Sequence, residues 1–325
     1  MKKYVIICTY ILCVFVLSAC SGTDENTEDD RVKIGIMLSD AGLGDQSFSD
    51  LGFAGLEKAR DELGISFDYR ELKDTKTYEQ GLEELVEEGN DLIIGLGFAI
   101  QEAMETVAEK YPDTEFLIID SQSDLPNINN ITFKEEEGSF LIGVVAGMKT
   151  QSNVVGFVGG EDAPLIHKFE QGFINGVKAV NPEAQILSKY AGTFGDDKLG
   201  ESIAKEMITA GADYIYPAAG FTGVGVLLES QRAGTYSFGV DSDQFYLAEK
   251  SVVSSMVKQV DVAIYDTVKE LVETGTISEK NKVLGFKENG VVIAPIRVIK
   301  LSETEQKTLD QFTEEISNGS ITILD

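Results

Sequence analysis

Three aspartates at the ends of apolar runs give this chain its chemical prospects. Asp40 follows the run Ile34 to Leu38, Asp120 closes Phe116 to Asp120, and Asp241 opens the loop after Thr235 to Val240. Short apolar runs of this kind have the profile of strands buried on both faces of a parallel sheet. At the carboxyl ends of such strands lie the loops that contact ligands, because each following helix presents free N–H groups there. In the first of these stretches, IGIMLSDAGLGDQSF, Asp40 and Asp45 supply acceptors, Gly42 and Gly44 let the backbone turn, and Phe48 offers an aromatic face. The plainer alternative makes Asp45 a helix cap and Phe48 a core residue.

Cleft carboxylates can do acid/base work, but the rest of an enzyme's equipment is missing from the sequence. His167 is the single histidine, and there is no metal-ligand cluster, no Ser/His/Asp or Cys/His set and no GxxxxGK phosphate loop. The expectation is a binding protein, not an enzyme, with no cofactor and no metal, and with His167 on the surface or rim. A net charge of −28 also argues against nucleic acid, whose phosphates it would repel.

The N-terminus carries Lys2 and Lys3, an apolar run from Tyr4 to Val16, and then Leu17-Ser18-Ala19-Cys20. This reads as a secretory signal, too short for a typical spanning helix. The Leu-Ser-Ala-Cys pattern resembles the bacterial lipoprotein box. That resemblance implies removal of residues 1–19, lipidation of Cys20 and attachment to a membrane through the lipid, each buried acyl CH₂ adding roughly 0.8 kcal/mol. Cys8 and Cys13 lie in the removed segment, so no cysteine pair remains to oxidise. The acidic stretch Ser21 to Asp30 lacks apolar periodicity, and residues 20–31 are expected to form a disordered tether.

The elements that must position the aspartates follow in order. Apolar strands near 34–38, 66–70, 91–95 and 116–120 alternate with helical patterns near 49–63, 78–88 and 100–110. Asn130 to Met148 reads as a strand followed by a helix of small residues suited to close packing. A second series begins at Val154, with strands near 186–190, 214–218 and 235–240 and helices near 165–179, 200–210 and 223–232. Strands alternating with helices imply right-handed crossovers and parallel sheets, and 325 residues suffice for two lobes. Lys282 to Phe286 and Gly290 to Ala294 read as paired strands of the second lobe, and Thr304 to Ser317 as a helix.

Several strings in sequence order resemble the basic membrane protein family, the lipoprotein substrate-binding components of nucleoside ABC transporters of the purine nucleoside receptor type. They include Asp40-Ala-Gly42, Ser47-Phe48, Phe133-Lys-Glu-Glu-Glu-Gly138, Val155-Gly-Phe-Val-Gly-Gly160, Phe169-Glu-Gln-Gly-Phe173, Ala218-Ala-Gly220 and Gly239-Val-Asp241. The resemblance implies an α/β fold of two Rossmann-like lobes, the type I periplasmic-binding-protein kind, with a central ligand cleft and three hinge crossovers. Those crossovers are expected near Thr150, Ser254 to Lys258 and Thr276 to Asn281. The N-terminal lobe would then hold 32–150 plus 259–277, the C-terminal lobe 151–254 plus 282–300, and 301–325 would form a helix and tail.

Carried over residue by residue, the resemblance implies that Asp40 and Asp120 accept hydrogen bonds from a base and that Phe48 stacks on it. Phe194 is the candidate for the other face, with a loop anchor as its alternative. Asp241 would accept from ribose hydroxyls, Lys258 would donate to the sugar or hold Asp241, and Gly220 would allow close backbone approach. Asp243 is expected to be a cap, and Phe98 to line the cleft or pack in the core. The chain departs from the family pattern at Ser49, at His167-Lys168 and at Phe221, which is large enough to narrow the cleft. The expected function is capture of a nucleoside, purine favoured, by a monomeric, extracytoplasmic, lipid-anchored protein that delivers it to an ABC permease. The alternative is a surface lipoprotein that senses the ligand and regulates.

Overall fold

The computed structural model describes residues 31–324. The expected signal segment, the lipidation site Cys20 and nearly all of the tether lie outside the described residues.

The first lobe is built on a sheet of six parallel strands. In chain order these are β1 (Lys33–Met37), β2 (Ser66–Arg70), β3 (Leu92–Leu96), β4 (Glu115–Ile119), β5 (Ile128–Phe133) and β11 (Asn281–Leu284). They lie in the spatial order β11-β5-β4-β3-β1-β2. Helices α1 (Phe48–Leu63), α2 (Leu72–Thr75), α3 (Tyr78–Glu87) and α4 (Gln101–Lys110) connect them. β3 is buried at every position, as a central parallel strand covered on both faces must be.

The second lobe repeats the plan with β6 (Val154–Gly159), β7 (Gln185–Tyr190), β8 (Tyr214–Ala218), β9 (Tyr236–Asp241), β10 (Val252–Lys258) and β12 (Val291–Ile293). Their order is β12-β10-β9-β8-β6-β7, with β12 antiparallel to β10 at the edge. Its helices include α5 (Glu135–Lys149), α6 (Pro164–Val180), α7 (Asp197–Thr209) and α8 (Gly220–Ala233). Helix α9 (Val260–Thr274) returns to the first lobe, where the backbone of Asp261 abuts Gly55 of α1. A final helix, α10 (Glu303–Ser317), begins with a reciprocal capping box between Ser302 and Glu305. It packs on α5 through Phe312 and Phe140, whose ring centroids are 5.2 Å apart.

The crossings between lobes differ from the sequence-based expectation in two places. The first lies at Lys134, not near Thr150, because α5 packs with the second lobe. A Cβ at Gly143 would strike the carbonyl of Phe173 in α6, and one at Gly176 would strike that of Phe140. The small residues of α5 thus find small residues opposite on α6. The third crossing is Gly285 to Gly290. Lys282 to Leu284 belongs to the first lobe, where β11 pairs parallel with β5, so it forms no hairpin with β12. The Asn130 amide donating to Asn281 pins that edge. The second crossing follows Lys258 at Gln259. Bonds from Lys134 N to Leu284 O and from Gln259 N to Gly290 O tie the three crossings together.

Candidate functional site

The loop after β1 is organised by Asp45. Its carboxylate accepts from the backbone N–H groups of Ser47 at 2.9 Å and Ser49 at 2.8 Å, free donors at the start of α1. Burial nevertheless pushes its pKa up to about 6. Capping and cleft lining are combined in this residue, which also faces the cavity. The cap turns Phe48 inward and presents the Ser47 hydroxyl to the other lobe. Ser49, one of the departures, pairs its hydroxyl with Ser39 at 2.7 Å.

Asp120 and Asp241 occupy matching places just past β4 and at the end of β9. Both take left-handed backbone conformations, φ 69° and 62°, which aspartate tolerates better than most residues. This turn aims both carboxylates into the space between the lobes. There they meet Lys258, whose ammonium donates to Asp120 Oδ2 and lies 3.2 Å from Glu135 Oε1. Burial opposes the lysine's charge, but Asp120, Glu135 and Asp241 outweigh it and raise its pKa. Burial raises the pKa of Asp241, against the pull of Lys258 and the hydrogen bond from Ser47.

All seven expected contact residues line one cavity of about 290 Å³ between the lobes. Asp40, Phe48 and Asp120 come from the first lobe. Phe194, Gly220, Asp241 and Lys258 come from the second. Phe98 joins them and meets Phe194 edge-on across the cleft, centroids 6.4 Å apart. Asp40 keeps exposed surface at the cavity mouth, yet enclosure by the surrounding loops raises its pKa.

Several details refine the expected roles. Lys258 is bonded to Asp120; Asp241 is held instead by Ser47 Oγ at 2.5 Å. The space that Gly220 leaves open is taken by the carbonyl of Phe194, 3.2 Å from where a Cβ would sit. Phe221 is not among the lining residues, so it does not narrow the cleft. Asp243 caps the single turn Gln244–Leu247 and forms a two-pronged pair with Arg297. His167 is exposed, 2.6 Å from Asp162, and does not line the cavity.

Four participants were not singled out as contacts from the sequence. Glu161 follows Gly159-Gly160 at the end of β6 and obeys the same strand-end rule as Asp40, so its signal was present. Phe169 stood inside a quoted string, and Tyr78 read only as a helix start. Glu135, fully buried beneath Lys258, is one of three consecutive glutamates, with nothing in the sequence to separate it from its neighbours.

Closure is secured by polar contacts as well. The backbone carbonyl of Gln46 accepts from the Gln244 amide at 2.9 Å and from Ser242 Oγ at 3.3 Å, and its side chain accepts from Tyr246 at 2.8 Å. Inside, Asp120 is 6% exposed and its Oδ1 has no hydrogen-bond partner among the described residues. A buried acceptor left unpaired costs about 1–3 kcal/mol, more when charged.

Comparison with known proteins agrees with this architecture. A chain from Aeropyrum pernix K1, an ABC transporter system solute-binding protein, superposes with a TM-score of 0.83 at 25% identity, covering 90% of this chain and 92% of that one. An uncharacterized lipoprotein of Pyrococcus abyssi is 35% identical over 86% of this chain and 74% of its own length. Basic membrane protein D of Borreliella burgdorferi is 32% identical over 97% of this chain and 94% of its own. Residues 32–325 match the family described as Bmp, ABC transporter substrate-binding protein PnrA-like. With the two hinged lobes and the cavity between them, this match makes the chain a member of the Bmp family of ABC transporter substrate-binding proteins.

Proposed function

We propose that this protein captures a nucleoside, a purine ahead of a pyrimidine, and hands it unchanged to an ABC permease. The observation that carries this reading is the unpaired Oδ1 of Asp120 in a cavity walled by Phe48, Phe98, Phe169 and Phe194. A flat heterocycle with N–H groups satisfies both features, stacking on rings and donating to the buried carboxylate. In this reading Asp40 and Asp120 accept from the base, and Phe48 and Phe194 flank it. Asp241 takes the sugar hydroxyls, since a carboxylate can accept from two neighbouring O–H groups. Lys258 holds Asp120 in place, and Gly220 makes room for the Phe194 loop. The protein acts as a monomer on the outer side of the cell membrane, held there by lipid on Cys20.

Stacking worth about 1–3 kcal/mol per base, together with buried hydrogen bonds, supports micromolar or tighter binding. Calorimetric titration with guanosine, adenosine, inosine and uridine is the test. Saturable binding of at least one, recovered chemically unchanged after long incubation, is the expected result. A folded protein that binds none of the four overturns the reading.

A further inference from the structure

Glu135 is the most deeply enclosed carboxyl at the hinge. It opens α5 directly after the first crossing, is 0% exposed, and has no hydrogen-bond partner for either oxygen among the described residues. It is close to charge on several sides. Lys258 of β10 is 3.2 Å away and Lys168 of α6 is 3.6 Å away. Asp120, past β4, opposes its charge, and the Tyr216 phenol of β8 feels it. Lys134, Glu136 and Glu137 flank it on its own segment.

These surroundings divide between the lobes. Glu135, Lys258, Lys168 and Tyr216 move with the second lobe; Asp120 belongs to the first. In the closed form Lys258 donates to Asp120 and makes no hydrogen bond to Glu135, although the two lie at ion-pair distance. When the lobes part, Asp120 leaves, water enters, and Lys258 keeps the two second-lobe carboxylates, Glu135 at 3.2 Å and Asp241, the latter parted from Ser47. Closing reverses this exchange. It adds the Asp120 charge to those already around the lysine and strips solvent from Glu135, both of which favour the neutral acid. Burial, with Asp120 adding to it, raises the Glu135 pKa to about 7 in the closed form, against Lys258 and Lys168.

We propose that Glu135 is a positioning residue for Lys258 that takes up one proton from solvent as the lobes close over ligand, so that ligand affinity falls as the pH rises through neutrality. Neutralised, it releases the lysine to Asp120; ionised, it competes for it. The inference rests on the proposed capture of a ligand between the lobes, which it takes to proceed by their closing over it. The linkage has a definite sign: the closed state binds more protons than the open state, so acid favours closure.

Calorimetric titration of the full chain with guanosine at pH 6 and pH 8 tests this, beside the uncharged isostere Glu135→Gln. Wild-type protein is expected to bind about tenfold more tightly at pH 6, the effect of one proton taken up across that window. Titrations at pH 7 in buffers of different ionisation enthalpy are expected to show net proton uptake. Glu135→Gln is expected to bind with one affinity at both pH values and to show no uptake. A pH-independent wild type, or a variant with the wild-type slope, overturns the proposal. If wild-type protein binds none of the four nucleosides, the nucleoside reading is what fails, and small-angle scattering of the unliganded protein decides the inference instead. A larger closed fraction at pH 6 than at pH 8 in wild type, with no such difference in Glu135→Gln, upholds proton uptake on closure; equal compactness at both pH values, or the same shift in the variant, overturns it.

Discussion

Ser47 Oγ donates to Asp241 Oδ2 across 2.5 Å, and the two residues belong to different lobes. The bond joins a helix start in one lobe to a strand end in the other, 194 positions apart in the chain. It therefore reports closure directly. Ser47→Ala removes the donor and leaves a buried carboxylate short of one partner. Hydrogen bonds to charged groups contribute about 1.5–3 kcal/mol, so guanosine affinity is expected to fall roughly tenfold to a hundredfold. Calorimetry measures the loss, and small-angle scattering of the liganded variant should show a larger open fraction than wild type.

Asp241→Ala separates sugar from base. If Asp241 takes the ribose hydroxyls, guanosine binding weakens while guanine binding changes little. Parallel titrations with the two ligands check this, and equal losses for both would remove the ribose role.

Phe194→Ala removes one ring from the cavity wall and the edge contact with Phe98. The expected cost is about 1–3 kcal/mol, larger for purine than for pyrimidine nucleosides because the stacked area is greater. Unchanged affinity across the panel would reduce Phe194 to a loop anchor.

Asp45 predicts a pH effect on stability. Burial raises its folded pKa to about 6, above its unfolded value. A carboxyl shifted this way stabilises the fold most below its unfolded pKa, and that contribution is lost as pH rises toward 6. Asp45→Asn keeps an acceptor for the helix N–H groups without the buried charge. Urea unfolding at pH 4 and pH 7 should therefore show wild type losing about 2 kcal/mol more than the variant over that interval. Equal losses would mean that the carboxyl titrates at its ordinary value.

Much of the fold was legible because it depends on local pattern. Apolar runs of about five residues ending in Asp or Gly marked strands, and 3.6-residue periodicity marked the helices between them, since both follow from which side chains face the core. The residues that line the cavity were legible for a related reason. Asp40, Asp120 and Asp241 sit at strand ends, and in a parallel sheet strand ends share one edge. Lobe membership at the hinges was not legible. Lys282 to Leu284 and Val291 to Ile293 have similar compositions, and β11 joins β5 through edge hydrogen bonds that no alternation of residue types encodes.

By itself, then, the sequence determined the alternation of strands and helices, the strand-end carboxylates and the aromatic supply, because each depends on neighbours along the chain. Only the tertiary structure decided that α5 leaves the first lobe at Lys134, that Lys258 bonds to Asp120 while Ser47 holds Asp241, and that Glu135 is sealed beneath them. Those outcomes depend on which charges meet after two lobes close, and residues 138 positions apart acquire a relationship only when folding removes the water between them.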